Sequence, residues 1–487
     1  MELKKTIKSV FSENIFSRES AFRVAYFVCI FLSCVTFLDI FATVVATGLL
    51  IWSTFVFRDS IKRKTKNLKN SKIILLFLFF SVITECVNIK MGFPIGFFAG
   101  LVMIYHAAIC FFIFYGMYVD ADFESTKKEM FFLCKMTLIL STFFVCLSFL
   151  FLLFKDSVSV ELSFPIIDNY DHYERIIGIV KKPNSTRFTG VFINPNILAF
   201  VSVISMIFLY ILYGANQFFC KSRKWTRRLI LASIMLIHFV ALILSDSIAS
   251  FLLLVIYALL WLFYKMVLEQ RELSLKNLTK CSLLFLLSGL VIILGFFTVR
   301  AYFQNGASNL IENVYSVIAE TTSRADIDEN IHFGRPNHDL RDGSGRSRLL
   351  KQAAYIFMRH PILGIGNANA VAYGEKYFDT GIAFSNFHNG YVSILVCNGS
   401  IGFVLFVAFL APILLNLLKF FFKNCLSQKK YSFVSLLVFI LSYLVFALFE
   451  KTMLSEINFM GIIFWAALGY AVTYLQNEIS ENLRPER

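Results

Sequence analysis

Residues 390–418 read GYVSILVCNGSIGFVLFVAFLAPILLNLL, a stretch without one charged side chain. About 20 apolar residues are enough for a helix to cross the hydrocarbon core of a bilayer. Because lipid offers no hydrogen bonds to the backbone, such a stretch must be helical to satisfy its own N–H and C=O groups. It therefore predicts a membrane helix.

The rest of the chain has the same character. Of its 487 residues 57% are hydrophobic, 57 are Phe and only 16% are charged, which excludes a water-soluble domain. We predict an all-α integral membrane protein with about twelve transmembrane helices and a large, partly helical outer loop. The helices are expected near residues 22–38, 40–57, 73–89, 96–116, 130–154, 190–213, 229–245, 248–266, 281–298, 390–418, 432–450 and 458–475.

Basic residues crowd two of the loops between these helices. They are Arg58, Lys62, Arg63, Lys64, Lys66, Lys69 and Lys72 in one loop, and Lys221, Arg223, Lys224, Arg227 and Arg228 in the other. The positive-inside rule places both loops, and with them both termini, in the cytoplasm. The net charge of +14 is thus a topology signal and predicts no nucleic-acid partner.

Two long loops, about 155–189 and 299–389, then lie on the outer side. The chain is expected to divide into residues 1–186 with helices 1–5 and the first outer loop, a core at 187–421 that includes the loop 299–389, and C-terminal helices and tail at 422–487. Ten cysteines fall in predicted helices or inner loops without metal-ligand spacing, so we expect packing residues and no metal.

Three constellations on the outer side carry candidate chemistry. The first is Arg187, which is followed by Gly190 and by Asn194-Pro195-Asn196. A guanidinium at the membrane edge can direct two hydrogen bonds at a phosphate, and Asn-Pro-Asn is a helix-start signal. Alone, the arginine is more often a side chain that reaches from the membrane to water.

The second constellation is Ser344-Gly345-Arg346, with Arg348 as a rival for the same role. It precedes apolar residues spaced as one helical face, namely Leu349, Leu350, Ala353, Ala354 and Phe357, and this helix is stopped by Pro361. Arg346 would project from a helix N-terminus, where the dipole already favours an anion, unless it merely faces solvent.

The third constellation is His388-Asn389, at the outer start of the predicted helix 390–418. An imidazole titrates near neutral pH and suits acid–base chemistry, although an interfacial histidine alone is more often a solvated residue. Asp246, near another outer helix turn, could orient a substrate sugar or cap a helix. Arginines and a histidine on one side of the membrane predict acid–base chemistry on a diphosphate.

These motifs resemble the bacterial O-antigen ligases and the related O-antigen or capsule polymerases. The family pattern of His-Asn, nine residues and Gly-x-x-Gly is matched by His388, Asn389, Gly399 and Gly402. The pattern Pro-x-x-Gly-x-Gly is matched by Pro361, Gly364 and Gly366. Ser-Gly-Arg is matched by residues 344–346, and Arg-x-x-Gly followed by Asn-Pro-Asn is matched by Arg187, Gly190 and residues 194–196. The chain departs from the family at Asp246, where many relatives have an arginine, and at Leu350, where a Trp is frequent.

The resemblance implies a GT-C-like glycosyltransferase of surface polysaccharide biosynthesis in the bacterial cytoplasmic membrane. Its donor would be an oligosaccharide on undecaprenyl diphosphate, and its acceptor a lipid A core sugar or a lipid-linked repeat unit. It implies that Arg187 and Arg346, with Arg348 as second choice, bind the diphosphate and that His388 deprotonates the acceptor. The reaction would be metal-independent, without a cofactor, and inverting. Supporting residues would be Asn196, Asn389, Gly364, Gly366, Gly399, Gly402 and Asp246.

A transporter or flippase for the same lipid is the alternative, since it would share twelve helices and a cationic cavity. A flippase needs charged residues near the middle of its helices and short outer loops. The sequence instead places the candidate residues in and beside a 90-residue outer loop, which favours the enzyme.

Overall fold

The computed structural model describes residues 17–152 (except 93 and 121), 158–161, 174–182, 185–217, 224–269, 346–378, 387–422, 431–454 and 457–482, with scattered residues of 279–309. The elements are α1 (Arg18–Leu32), α2 (Asp39–Val56), α3 (Arg58–Asn67), α4 (Ser71–Val87), α5 (Ile89–Gly92), α6 (Ile95–Ile109), α7 (Phe123–Leu152), β1 (Val158–Glu161), β2 (Glu174–Lys182), β3 (Ser185–Gly190), α8 (Pro195–Gly214), α9 (Lys224–Ser245), α10 (Ile248–Glu269), α11 (Arg346–Arg359), α12 (Ala370–Tyr377), α13 (Gly390–Phe420), α14 (Tyr431–Phe446) and α15 (Phe459–Asn482).

The chain is mainly helical and integral to the membrane. Within the described residues eight helices are long and apolar enough to cross a bilayer, or nine if α3 and α4, bent by 119° at their junction, form one span. Helices α1 and α14 lie where spans were predicted but have only 15 and 16 residues. The predicted helix 281–298 lies largely outside the described residues. The expected number of twelve therefore stays a prediction.

A small sheet in the first predicted outer loop is an addition to the helical architecture. Its strands run antiparallel in the order β1-β2-β3, and Val180 of β2 pairs with Arg187 of β3. The β2 sequence ERIIGIVKK is rich in the β-branched residues that favour strands. The sheet places Arg187 of β3 close to the start of α8.

The helices run back and forth between two ends of the bundle. At the end where α1, α4 and α7 begin, which we call the basic end, Lys64 pairs with Glu19 at 2.6 Å and Arg63 with Asp120 at 3.9 Å. At the opposite end, which we call the site end, the Thr36 amide donates to the Val191 carbonyl at 2.9 Å. The basic segment α3 and the start of α8 thus lie at opposite ends.

Helices α8 and α15 form the centre of the bundle, since 78% and 83% of their span residues are buried. The corresponding share for α2 is 22%, and its Phe41, Ile51 and Phe55 are exposed. An exposed apolar face on a membrane helix is the surface expected to meet lipid. The central helices are therefore held by other helices, and α2 by lipid on one side.

A buried ionic cluster joins α1, α7 and α15 near the basic end. Arg23 donates through Nε and Nη2 to the two carboxylate oxygens of Glu129, at 2.7 and 2.6 Å. The Tyr470 hydroxyl donates to the same carboxylate at 2.8 Å, and Ser20 donates at 2.5 Å. Every oxygen of this buried carboxylate is satisfied, as a buried charge requires.

A break in α13 receives a docking segment, residues 361–369. Gly399 interrupts the helix with φ 64° and ψ −172°, a conformation open in practice only to glycine. The Ser400 amide donates to the Pro361 carbonyl at 2.8 Å, and the Ile365 and Gly366 amides donate to the carbonyls of Val396 and Cys397 at 3.1 and 2.9 Å. The docking segment satisfies backbone groups that the break leaves without helical partners.

Replacing Glu129 by Ala is expected to lower the free energy of unfolding by about 3–5 kcal/mol, because it leaves the Arg23 charge buried without a partner. The matched control is Glu124→Ala in the same helix. Its carboxylate is 63% exposed and pairs with Lys127, so the loss should be about 0–1 kcal/mol. Unfolding in mixed micelles, followed by tryptophan fluorescence, measures both. Equal effects would contradict a stabilising role for the cluster.

Gly399→Ala is expected to destabilise the protein. The strained φ alone costs about 1–3 kcal/mol, and the new Cβ would collide with the Ile362 carbonyl. Gly48→Ala in α2 is the control, since its Cβ would meet nothing within 4 Å and alanine favours a helix by about 0.5–1 kcal/mol. Thermal unfolding in detergent should move in opposite directions for the two variants. A neutral Gly399→Ala would mean that the break does not require glycine.

Candidate functional site

A buried carboxylate at the site end gathers side chains from four separate segments. Glu450, just after α14, is 5% exposed. Its Oε1 lies 3.4 Å from Nη2 of Arg346 and accepts from Asn196 Nδ2 at 3.3 Å, and its Oε2 lies 3.3 Å from Nδ1 of His388. With Arg187, which binds Asn196, these residues form what we call the Glu450 cluster.

Arg187 enters the cluster from β3 through a set of fixed contacts. Its Nε donates to the Ser245 carbonyl at 2.9 Å, and its Nη2 donates to Asn196 Oδ1 at 2.7 Å and to the Asp246 carbonyl at 3.4 Å. Asn194, two residues before Asn196, caps α8 by accepting from the Ile197 amide. The predicted helix start at Asn-Pro-Asn is confirmed, and it places Asn196 between Arg187 and Glu450.

His388 is held at the start of α13 by its neighbour. The Asn389 side chain accepts from the amides of Tyr391 and Val392 at 3.0 Å each, which caps the helix, and donates to the Leu448 carbonyl at 3.0 Å. His388 itself adopts φ 46°. Because Nδ1 faces the Glu450 carboxylate, a hydrogen on Nδ1 makes Nε2 the basic nitrogen of the neutral ring.

Arg346 and Arg348 differ in position although both stand in the first turn of α11. Arg346 is 30% exposed and reaches Glu450, whereas Arg348 is exposed. The helix buries Leu349, Gln352, Ala353 and Ile356, while Leu350 is 44% exposed. Of the predicted apolar face, Leu349 and Ala353 pack inward, whereas Leu350 and Ala354 are exposed, because the inward stripe at i, i+3, i+4 and i+7 also includes Gln352 and Ile356.

Asp246 lies in the turn between α9 and α10, with φ 53°. Its buried carboxylate pairs with Arg300 Nε at 2.7 Å and accepts from Gln304 at 3.4 Å. Both partners of the Asp246 carboxylate lie at the start of the long loop predicted at 299–389. The turn is thus bound by Arg187 on its backbone and by Arg300 on its side chain.

Four of the motif glycines lie away from the Glu450 cluster, namely Gly364, Gly366, Gly399 and Gly402. Gly364 and Gly366, with φ of 74° and 92°, belong to the docking segment, and Gly399 is the break that receives it. Gly402 packs its backbone against Asn398. Gly399 lies ten residues beyond Asn389 along α13, or about 15 Å along a helix. These glycines shape the backbone, whereas the cations and His388 meet at the carboxylate.

The cluster is suited to bind an anion and to move a proton. Arg346 and His388 contact Glu450 directly and Arg187 binds Asn196 beside it, so two guanidinium groups lie around one carboxylate and positive charge is in excess. Partly buried guanidinium groups are the preferred partners of phosphate oxygens. Among the described residues, no group of three or more His, Cys, Asp or Glu side chains is placed to hold a metal ion.

Glu450 and Arg300 were missed by the sequence reasoning. The signal for Glu450 was the pair Glu450-Lys451 at the end of the apolar run 432–450, where a charge beside a membrane helix points to function. Arg300 ends the predicted helix 281–298 in the same way. Both carry charge at the outer limit of a predicted span.

The O-antigen ligase family model matches residues 230–407. This range contains Asp246, Arg346, His388 and the four motif glycines, whereas Arg187, Asn196 and Glu450 lie outside it. No curated protein matches the chain. Residues 230–407 thus match an O-antigen ligase domain, which supports the assignment of the chain to that family.

Proposed function

We propose that this protein is a glycosyltransferase that moves a preassembled glycan from undecaprenyl diphosphate to a sugar hydroxyl of an acceptor, in the biosynthesis of a surface polysaccharide. The convergence of Arg187, Arg346 and His388 around Glu450 is the observation that carries this proposal. A diphosphate and a hydroxyl that must be deprotonated need cations and a base within one ligand's width.

The reaction takes place on the outer face of the cytoplasmic membrane in this proposal. The basic segment 58–72 lies at the end of the bundle opposite the Glu450 cluster, and the positive-inside rule assigns basic loops to the cytoplasm. Both termini would then be cytoplasmic. About twelve spans in a GT-C-like arrangement would surround a polyprenyl chain that approaches through the bilayer.

The donor brings its own leaving group, so no nucleotide or ATP is needed outside the cytoplasm. His388 Nε2 takes the proton of the acceptor hydroxyl as its oxygen attacks the anomeric carbon. The bond from that carbon to the diphosphate oxygen breaks, and undecaprenyl diphosphate leaves with the electron pair. A single displacement of this kind inverts the anomeric centre.

The other residues of the cluster stabilise charge during this step. Arg187 and Arg346 hold the diphosphate while negative charge develops on it, supplying the positive charge that a divalent cation supplies in other phosphate sites. Glu450 faces the imidazole that becomes positive and fixes its tautomer. Arg346 takes the binding role in preference to the exposed Arg348.

His388→Ala is expected to lower the rate of transfer by about 10²–10⁴, the usual contribution of a general base. The purified protein would be assayed with radiolabelled undecaprenyl diphosphate oligosaccharide, with and without a lipid A core acceptor. Size-exclusion profile and thermal stability show that the variant is folded. Full activity of folded His388→Ala would remove the histidine from the base role.

Arg346→Ala should raise the donor KM and lower kcat/KM by at least about tenfold, since a buried charged contact to phosphate is worth about 1.5–3 kcal/mol. The control on the same helix is Arg348→Ala, which should leave kcat/KM within about twofold, as surface substitutions do. A larger loss with Arg348→Ala than with Arg346→Ala would reverse the assignment.

The assay also separates the functions that the site could serve. Product that lengthens without added acceptor indicates a polymerase, and product formed only on the core indicates a ligase. Movement of the lipid between leaflets with no new glycosidic bond would replace the proposal by the flippase.

A further inference from the structure

A further buried carboxyl group lies on α4, away from the Glu450 cluster. Glu85 is fully buried, and its Oε1 accepts from the Asn367 amide at 2.6 Å and from Asn367 Nδ2 at 3.3 Å. Glu85 forms no ion pair within the part of the chain that the structure describes. A buried ionised carboxylate without a cation costs several kcal/mol.

Glu85 belongs to a polar stripe on α4 that meets the docking segment. The Thr84 hydroxyl donates to the Leu363 carbonyl at 2.8 Å, and Asn88 Nδ2 donates to the Gly364 carbonyl at 3.1 Å. One turn earlier, the Ser81 hydroxyl donates to Asn398 of α13 at 2.8 Å. Positions i, i+3, i+4 and i+7 share one helical face, so this face of α4 is specialised for the docking segment.

Two acceptor oxygens at this junction have no hydrogen-bond donor within the described part of the chain. They are Glu85 Oε2 and Asn369 Oδ1, both buried. A Cβ on Gly366 would lie 2.6 Å from Glu85 Oε2 and 2.8 Å from Asn369 Nδ2, so the two side chains are neighbours. A buried carboxyl oxygen that accepts no hydrogen bond is better accommodated as the hydroxyl of a neutral carboxyl group than as part of a carboxylate.

The surroundings favour a proton over a metal ion. Backbone packs closely on the carboxyl group, since a Cβ on Gly100 of α6 or on Gly366 would collide with it. The other titratable groups near it on these elements are the exposed Cys86 and Lys90, Tyr105 and His106, which bind the Leu50 carbonyl and Tyr26, and the buried Cys397. None of them is recorded in contact with Glu85.

We propose that Glu85 carries a proton in the folded protein and acts, as a neutral carboxyl group, as a positioning residue for the docking segment. Oε1 accepts from Asn367, while the hydrogen lies on Oε2, the oxygen that accepts no hydrogen bond. Through the docking segment, Glu85 fixes the end of α11, the helix that begins with Arg346. Loss of the proton would place an unpaired charge between α4, α6 and the docking segment.

Glu85→Gln tests this proposal, because the amide keeps an acceptor for Asn367 and places a permanent donor where the hydrogen would be. We expect the variant to unfold at the same temperature as the wild type at about pH 4 or below, where the unfolded glutamate is also mostly protonated. An unfolded glutamate titrates at about pH 4.3, so wild-type stability relative to Glu85→Gln should fall as the pH rises from there. The infrared difference spectrum between the two proteins should contain the C=O stretch of a protonated carboxyl group.

Glu85→Ala removes the acceptor and should raise amide hydrogen exchange in residues 361–369 by at least about tenfold. Absence of the protonated C=O band would overturn the proposal. The proposal would also be overturned if sodium or potassium ions raised the melting temperature of the wild type and if Glu85→Gln melted at a lower temperature than the wild type. This pattern indicates a bound cation. None of these measurements depends on glycosyl transfer, so the proposal can fail while the proposed function stands, and the reverse.

Discussion

The site end of the protein depends on one carboxylate. Glu450 lies 62 residues beyond His388 and 104 residues beyond Arg346, yet its two oxygens meet both side chains and Asn196. Without it, Arg346 would lose its ion-pair partner and Asn196 and His388 the acceptor that they share. The carboxylate neutralises part of the positive charge of the cluster, and the remainder stays available for an anion. The geometry of an anion site is thus set by an acid that need not touch the anion.

The same end is built from backbone that leaves regular structure, which lipid would not tolerate. The break at Gly399, the turn at Asp246 and the strained His388 each free polar backbone groups. At two of these places other parts of the protein satisfy the backbone groups. The docking segment binds the break at Gly399, and Arg187 donates to the Ser245 and Asp246 carbonyls in the turn. Irregular backbone at membrane depth persists where protein covers it. The arginine therefore has a structural contact as well as a proposed role with substrate.

The sequence predicts those parts of this architecture that are encoded locally. Apolar runs place the helices, Asn194 caps α8, Asn389 caps α13, and both caps are in the structure. The inward face of α11 contains Leu349 and Ala353 of the predicted apolar face and also Gln352, which a pattern of apolar residues does not indicate. The length of the segment 155–189 predicts a loop, whereas the structure has a sheet there, for which Ile176, Ile177 and Ile179 of β2 are the local signal. Glu450 required knowledge of contacts across more than 60 residues, which no local pattern contains.

Two buried glutamates show how surroundings, and not residue type, set a carboxyl group's part in this fold. Glu450 is approached by two cationic or protonatable side chains, so its charge is compensated where it stands. Glu85 is approached by amides and glycine backbone, which can accept or donate hydrogen bonds but cannot cancel a charge. A charge at Glu85 would add a second negative potential to the helices that position the cations. A neutral Glu85 leaves the excess positive potential at the Glu450 cluster, where an anionic donor would need it.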